Sequence, residues 1–192
     1  MKRALDIVLS SFALLLLAPL LMVIAAAVFL DSGSPVLFTQ KRVGRSFRIF
    51  RIRKFRTMRA GEDGALVTVS GDQRVTRVGK LLRRTKLDEL PQLWNVLCGD
   101  MSLVGPRPEI PQYVSIFKDR YASILRIRPG ITDLASIAFS NEEEVLRRSH
   151  DPMRAYVEQV LPAKLDLADK YVLSHSVLGD LVILFRTVLK LI

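Results

Sequence analysis

The sequence predicts a membrane-associated α/β fold of the α+β kind, and three observations carry that prediction. An uncharged run of 24 residues, Ile7 to Leu30, lies near the start of the chain. Between Val36 and Phe55, apolar and basic residues interleave with the texture of short strands. From there to the last residues, helical periodicities alternate with Pro- and Gly-marked breaks. A length of 192 residues accommodates one domain with a core plus a membrane element. Hydrophobic residues make up 49% and charged residues 25%, so the two kinds must be segregated along the chain.

As a straight helix the apolar run would be roughly 36 Å long, enough to cross a hydrocarbon core of about 30 Å. A single transmembrane anchor and a re-entrant helix fit that length; for a cleaved leader ending near Ala25-Ala26-Ala27 the apolar core is too long. Two features favour the re-entrant helix. Pro19, mid-run, removes a helix hydrogen bond and clashes with the preceding turn. Both flanks are basic, with Lys2 and Arg3 before the run and Lys41, Arg42 and Arg45 after it, which places both ends on the cytoplasmic side. A helix that bends at Pro19 and returns would have arms of about 12 residues, roughly 18 Å each, reaching one leaflet only. The expected organisation is therefore a re-entrant membrane helix over 1–30 and a cytoplasmic-face domain over 31–192. Arg3 and Asp6, spaced i,i+3, are expected to pair at headgroup level.

The cluster Asp31-Ser32-Gly33-Ser34-Pro35 is a turn. Val36 to Gln40 and Phe47 to Phe55 read as strands joined through Val43-Gly44-Arg45, a small hairpin basic on one face. Gly61 to Gly64 reads as loop. Arg77 to Lys86 is a basic amphipathic helix, and Leu87 to Leu97 continues helically with Pro91 in its first turn, where Pro is tolerated. The prolines around Arg107 make Gly105 to Pro108 a loop. Pro111 to Ile127, Asn141 to Arg148, Pro162 to Ser174 and Val177 to Ile192 are predicted helices. The second of these, Asn141 to Arg148, opens on an N-cap with acids in the first turn. The last has a narrow polar stripe (Gly179, Asp180, Arg186, Thr187, Lys190), as on an interfacial helix or on a helix packed in the core.

Charge and cysteine narrow the chemistry. Residues 41–86 hold fifteen Lys and Arg against Glu62, Asp63 and Asp72, which more than accounts for the net charge of +10. Such a block favours phosphate-bearing partners. Cys98 is the single cysteine, so no intrachain disulfide forms. His150 and His175 lie far apart with no zinc-ligand spacing, and any metal site would be oxygen-ligated. The nucleophile elbow, P-loop and dinucleotide-binding fingerprints are absent from the sequence.

That leaves Asp88 and Glu89, adjacent acids after Arg83, Arg84 and Lys86. On a helix they point about 100° apart, so they do not share a proton but can divide labour. One carboxylate can attack phosphorus; the other can hold Mg²⁺, which takes one or two carboxylates plus substrate phosphate oxygens. Solvated helix-surface acids are the plain alternative. Arg107, between Pro106 and Pro108, has a backbone largely fixed in advance, suited to gripping a phosphate or simply to forming a rigid turn. Lys54 and Arg56 are candidate phosphate clamps or solubilising charge.

Ordered motifs then carry a resemblance: Lys41-Arg42-Val43-Gly44, Lys54-Phe55-Arg56-Thr57-Met58, Leu87-Asp88-Glu89-Leu90-Pro91-Gln92, Leu93 to Leu97, Gly99 to Pro108, and Arg128-Pro129-Gly130-Ile131-Thr132. The chain resembles the bacterial sugar transferases, the monotopic phosphoglycosyl transferases in minimal form, from Lys2 to about Thr187. The resemblance implies a re-entrant helix broken at Pro19 and transfer of a sugar-1-phosphate from a nucleotide sugar, usually a UDP-sugar, to polyprenyl phosphate. UMP leaves, in the first membrane step of glycan assembly at the cytoplasmic face of the cell membrane. It implies Asp88 as nucleophile, Glu89 as Mg²⁺ ligand, and Lys54, Arg83 and the Pro106-Arg107-Pro108 loop as substrate-binding, with membrane lipids as further partners. Three positions depart from the family pattern: Ala18 precedes Pro19 in place of Ser, Ser140 stands where an Arg is common, and Ala168 replaces an acid, flanked by Asp166 and Asp169. The competing reading is a non-catalytic, membrane-tethered binder of nucleic acid or anionic lipid. Few aromatics interleave with the basic residues as base-stacking platforms, and nucleic acid is not expected as a partner.

Overall fold

A computed structural model describes residues 1–59, 69 and 71–191. The loop expected at Gly61–Gly64 lies outside them. α1 (Lys2–Ser32) carries Pro19 within it. β1 (Leu37–Val43) and β2 (Ile49–Phe55) pair antiparallel, Thr39 opposite Arg53 and Lys41 opposite Arg51. α2 (Arg77–Thr85) follows, then a 3₁₀ turn over Leu87–Glu89 and α3 (Gln92–Cys98). Two three-residue strands, β3 (Ser102–Val104) and β4 (Gly130–Thr132), pair in parallel. Between them lie α4 (Pro111–Ile116) and α5 (Lys118–Ile124). The remainder is helical: α6 (Leu134–Ala138), α7 (Glu142–Arg147), α8 (Pro152–Ala155), a π-helical turn over Tyr156–Val160, α9 (Leu161–Ser174) and α10 (Val177–Leu191). The mixed helix-and-sheet class, the apolar N-terminal helix and the small hairpin all match the expectation.

Three boundaries differ. The helix expected to run through Arg77–Leu97 is interrupted because Lys86 adopts a left-handed conformation (φ 56°) that ends α2. The chain then turns through 3₁₀ geometry, and Pro91, which lacks an N–H, precedes α3. The expected Pro111–Ile127 helix breaks at Phe117 (φ −114°, ψ 37°), which lets Tyr113 and Val114 on one piece and Tyr121 and Ile124 on the other face the same core. The parallel β3–β4 pair has no signal in the sequence, being three residues per strand.

α1 is the helix among the described residues long and apolar enough to cross a membrane, with mean hydropathy 2.9. Its two ends are fastened to the same body. Near the N-terminus Ser102 Oγ and the Leu103 N–H donate to the Asp6 carboxylate (2.9 and 3.1 Å). Arg3 donates to the Val96 and Leu97 carbonyls (2.6 and 3.0 Å) in the last turn of α3, where a cation is favoured. The expected Arg3–Asp6 pair is therefore replaced by two long-range anchors. Lys2 pairs with Asp180 of α10. At the other end Arg56, 5% exposed, clamps the Ser32 and Gly33 carbonyls and Ser32 Oγ. Ile24 and Val28 pack against Phe55 and Leu82. Between the anchored ends, Phe12, Leu15, Leu16, Met22 and Val23 are each more than 60% exposed.

The main core gathers Val43, Ile110, Tyr113, Val114, Tyr121, Ile124, Leu146 and the start of α9. A second cluster under the hairpin joins Phe50 and Ile52 to Val96 and Met101 of the α3–β3 segment. The site lies between these two clusters and the α1 anchor.

Candidate active site

Each element delivers one side chain to a common point. On β2, Phe50, Ile52 and Lys54 face inward, the first two into the core, so the strand's alternation aims Lys54 at the same side. The 3₁₀ turn presents Asp88 and Glu89, both under 10% exposed. The loop after β3 brings Arg107. Its position is set by backbone contacts: the Gly130 N–H donates to the Pro106 carbonyl (3.0 Å), the Gly105 N–H to the Thr132 carbonyl (3.1 Å), and the Arg107 N–H to Asp133 Oδ2 (3.1 Å). Gly130 is required by this close approach, since a Cβ there would sit 2.1 Å from the Gly105 nitrogen. Asp133 also N-caps α6 through the Ser136 N–H (2.7 Å). Beyond the loop, Glu109 is held by Tyr156 Oη (2.6 Å) and Arg42 (3.2 Å), and Arg42 also donates to the Pro108 carbonyl (3.2 Å).

Glu89 sits between two cations. Lys54 Nζ is 2.8 Å from Oε1, and Arg107 reaches Oε1 at 2.5 Å and Oε2 at 3.4 Å. Burial alone would raise the Glu89 carboxyl's pKa, but Arg107 and Lys54 outweigh it and hold the group well below the usual carboxylate range. Arg107 is in turn pushed up by Glu89. Asp88 differs. Burial, and then the neighbouring Glu89 charge, raise its pKa against the pull of Lys54, Lys86 and Arg83. It makes no hydrogen bond, and its Oδ1 is buried without a partner. One acid is saturated with cations; its neighbour is left bare.

Lys54, Asp88, Glu89 and Arg107, with Pro106 and Pro108 framing the loop, are thus brought together as the sequence led us to expect. Arg83 borders the group but is engaged by Glu143 of α7. Arg56 serves the end of α1. Asp166 and Asp169 pair with Arg120 at the surface (2.8 and 2.5 Å), away from the acids. Ala168, with Arg107, Glu109, Asp133 and Lys164, lines a small cleft of about 20 Å³, open to solvent. Pro19 lies far out along α1, exposed. Glu109, Asp133, Tyr156 and Glu143 were not singled out by sequence reasoning; only Asp133, an N-cap type before Leu134-Ala135, had a local signal.

This arrangement, a bare carboxylate next to two half-buried cations and a preset Arg loop, suits a reaction at phosphorus. A family model described as bacterial sugar transferase matches residues 1–192. The chain belongs to the bacterial sugar transferase family. Among similar proteins is a UDP-glucose:undecaprenyl-phosphate glucose-1-phosphate transferase of Caulobacter vibrioides, 42% identical over all of this chain and 69% of its own length. An undecaprenyl-phosphate glucose phosphotransferase of Komagataeibacter xylinus is 43% identical over 97% of this chain and 35% of its own. The exopolysaccharide production protein PSS of Rhizobium leguminosarum bv. phaseoli is 38% identical over 99% of this chain and 94% of its own. The chain thus spans only about a third of the Komagataeibacter relative's length. Among the described residues of this sugar transferase, no group of three or more His, Cys, Asp or Glu is arranged to hold a metal, so an ion held by one or two carboxylates would complete its shell with other oxygens.

Proposed function

We propose that this sugar transferase moves a sugar-1-phosphate from a UDP-sugar to polyprenyl phosphate through a covalent intermediate on Asp88. The observation that carries this reading is the contrast between the unpartnered Asp88 carboxylate and the cation-saturated Glu89. Because Oδ1 is buried, the other oxygen, Oδ2, is the one with access to a substrate. Asp88 Oδ2 attacks the sugar-bearing phosphorus of the donor, the bond to the bridging oxygen breaks, and UMP carries that electron pair away. The acyl phosphate on Asp88 is then attacked by a phosphate oxygen of the polyprenyl acceptor, which regenerates the carboxylate and gives a polyprenyl diphosphate sugar. Lys54 and Arg107 would offset charge on the diphosphate, and Arg83, once released from Glu143, would add a third cation.

The acid pair fits Mg²⁺ to the extent that this ion takes one or two carboxylates and completes its shell with phosphate oxygens and water. Glu89 would hold it, its cations passing to the diphosphate as substrate enters. When bound, the ion supplies neutralisation of the diphosphate charge.

We place α1 in one leaflet as a re-entrant helix over 1–30, with 31–192 as a catalytic domain at the cytoplasmic membrane face and α10 along the interface. Support comes from the fastening of both ends of α1 to one body while its middle presents bare apolar side chains. Exposed Leu178, Leu181, Val182, Phe185 and Val188 favour the interfacial reading of α10.

Purified protein given Mg²⁺, undecaprenyl phosphate and a panel of UDP-sugars should release UMP with at least one donor, and Asp88→Asn should not. Full turnover by Asp88→Asn would exclude the nucleophile assignment. Labelling of cysteines introduced at positions 2 and 33 should give equal accessibility from the cytoplasmic side, and opposite accessibility would exclude the re-entrant path.

A further inference from the structure

We propose that Gln92 is the positioning residue of the nucleophile: its side-chain amide donates to Asp88 Oδ1 and holds the carboxylate so that Oδ2 faces the substrate. This rests on the reading of Asp88 as nucleophile.

Two buried polar atoms in this region lack partners, and they are complementary. Asp88 Oδ1 is an acceptor with no donor; Gln92 Nε2 is a donor with no acceptor. Gln92 is 1% exposed, so solvent does not satisfy its amide, and a buried amide left unbonded is costly. The residues are four apart in a continuously turning segment. The Leu90 N–H donates to the Leu87 carbonyl, Leu93 to Leu90 and Trp94 to Pro91, and both Leu90 and Pro91 are right-handed helical. These bonds join residues three apart, so Gln92 follows Asp88 by a little more than one turn, on an adjoining face.

The partners on either side fix which face that is. Three residues after Gln92, the Asn95 amide bonds to β2, its Nδ2 donating to the Arg51 carbonyl (2.8 Å) and its Oδ1 accepting from the Arg53 N–H (3.1 Å), and Nδ2 also donates to Asp100 Oδ2 (3.3 Å). Three residues before it, Glu89 meets Lys54 further along the same strand. Gln92 therefore lies between these two contacts, under the stretch of β2 that leads to Lys54. Two amides occupy the same helix face; Asn95 is bonded at both its nitrogen and its oxygen, whereas Gln92 Nε2 has no partner among the described residues. A purely structural amide would be bonded as Asn95 is. Closing the Nε2–H to Oδ1 bond calls on the last torsions of Gln92, which are soft. Asp88 then has one oxygen held from behind and the other free to attack.

Gln92→Met keeps the volume and removes the donor. It also removes an unsatisfied buried amide, so its thermal midpoint should equal or exceed that of the wild type. With the UDP-sugar that the wild type turns over, kcat should fall about tenfold or more, the value of a hydrogen bond to a charged group. KM for that donor should stay within about twofold, because the contact is to the nucleophile and not to the substrate. Gln92→Glu, nearly isosteric, should lose at least as much in kcat, since a second carboxylate faces Asp88. A wild-type kcat in Gln92→Met, or a loss matched by a lower thermal midpoint and not seen in Gln92→Glu, would overturn the assignment. Asp88→Asn run alongside separates the two levels. If it is inactive while Gln92→Met is normal, only the role of Gln92 falls. If it retains full turnover, the nucleophile reading fails and this inference with it.

Discussion

The two faces of the hairpin are built from the same residue types and behave in opposite ways. On the outer face Thr39 pairs with Arg53 and Lys41 with Arg51, and these cations have no carboxylate partner among the described residues. On the inner face Arg42 meets Glu109, and Lys54 meets Glu89, both acids being buried. Charge density along the chain therefore says little about role; alternation does, because period 2 sends neighbouring cations to different dielectric surroundings. Outer charges are solvated and nearly dispensable for the fold. Inner charges are committed, and losing a partner strands the other.

The comparison breaks most severely at Glu89. Glu89→Gln leaves the half-buried Lys54 and Arg107 without their counter-charge, and a loss of about 2–3 kcal/mol is expected, below the usual cost of breaking a fully buried pair because both cations keep some solvent. Chemical denaturation at pH 7 checks it. The sign with pH follows from the depressed carboxyl of Glu89. Its contribution is fully present above the ordinary value of 4.5 and disappears as the pH falls through the lowered folded value. The deficit of Glu89→Gln should therefore shrink in strongly acid solution.

A smaller effect is expected at the other inner acid. Tyr156→Phe removes the 2.6 Å hydrogen bond to Glu109 and leaves Arg42 as its side-chain partner. About 1–3 kcal/mol of stability should go, and the Pro108 side of the Arg107 loop should loosen, which hydrogen exchange at Glu109 and Ile110 would register.

On the outer face Lys41→Gln should change stability by no more than about 0.5 kcal/mol, in the stabilising direction because it relieves a like-charge cross-strand pair with Arg51. If it cost as much as Tyr156→Phe, the distinction between the faces would collapse.

Much of this was legible before the coordinates. The hairpin, the apolar helix with Pro19 and the Arg107 loop were each announced by local signals: alternation, an uninterrupted apolar run, and a pair of prolines. The breaks at Lys86 and Phe117 were not, because neither residue is a helix breaker by type and each is bent by what the flanking pieces pack against. Nor was the substitution of Arg3 and Asp6 partners legible. Spacing i,i+3 permits their pairing, but the exposed carbonyls of α3 and the hydroxyl of Ser102 offered each a buried alternative.

What the sequence by itself determined is the set of chemical groups and part of the local geometry that carries them: an adjacent acid pair, a preset arginine, a lysine on a hairpin strand, and an apolar helix carrying Pro19. Only the tertiary structure decided who meets whom. Glu89 finds Arg107 across 18 residues and Lys54 across 35, and Glu109 finds Tyr156 across 47. The reason is physical. Local conformation follows from backbone sterics and period, whereas a pairing between distant charges depends on which faces the core draws together. It was that packing that filled Glu89 with cations and left Asp88, its neighbour, bare.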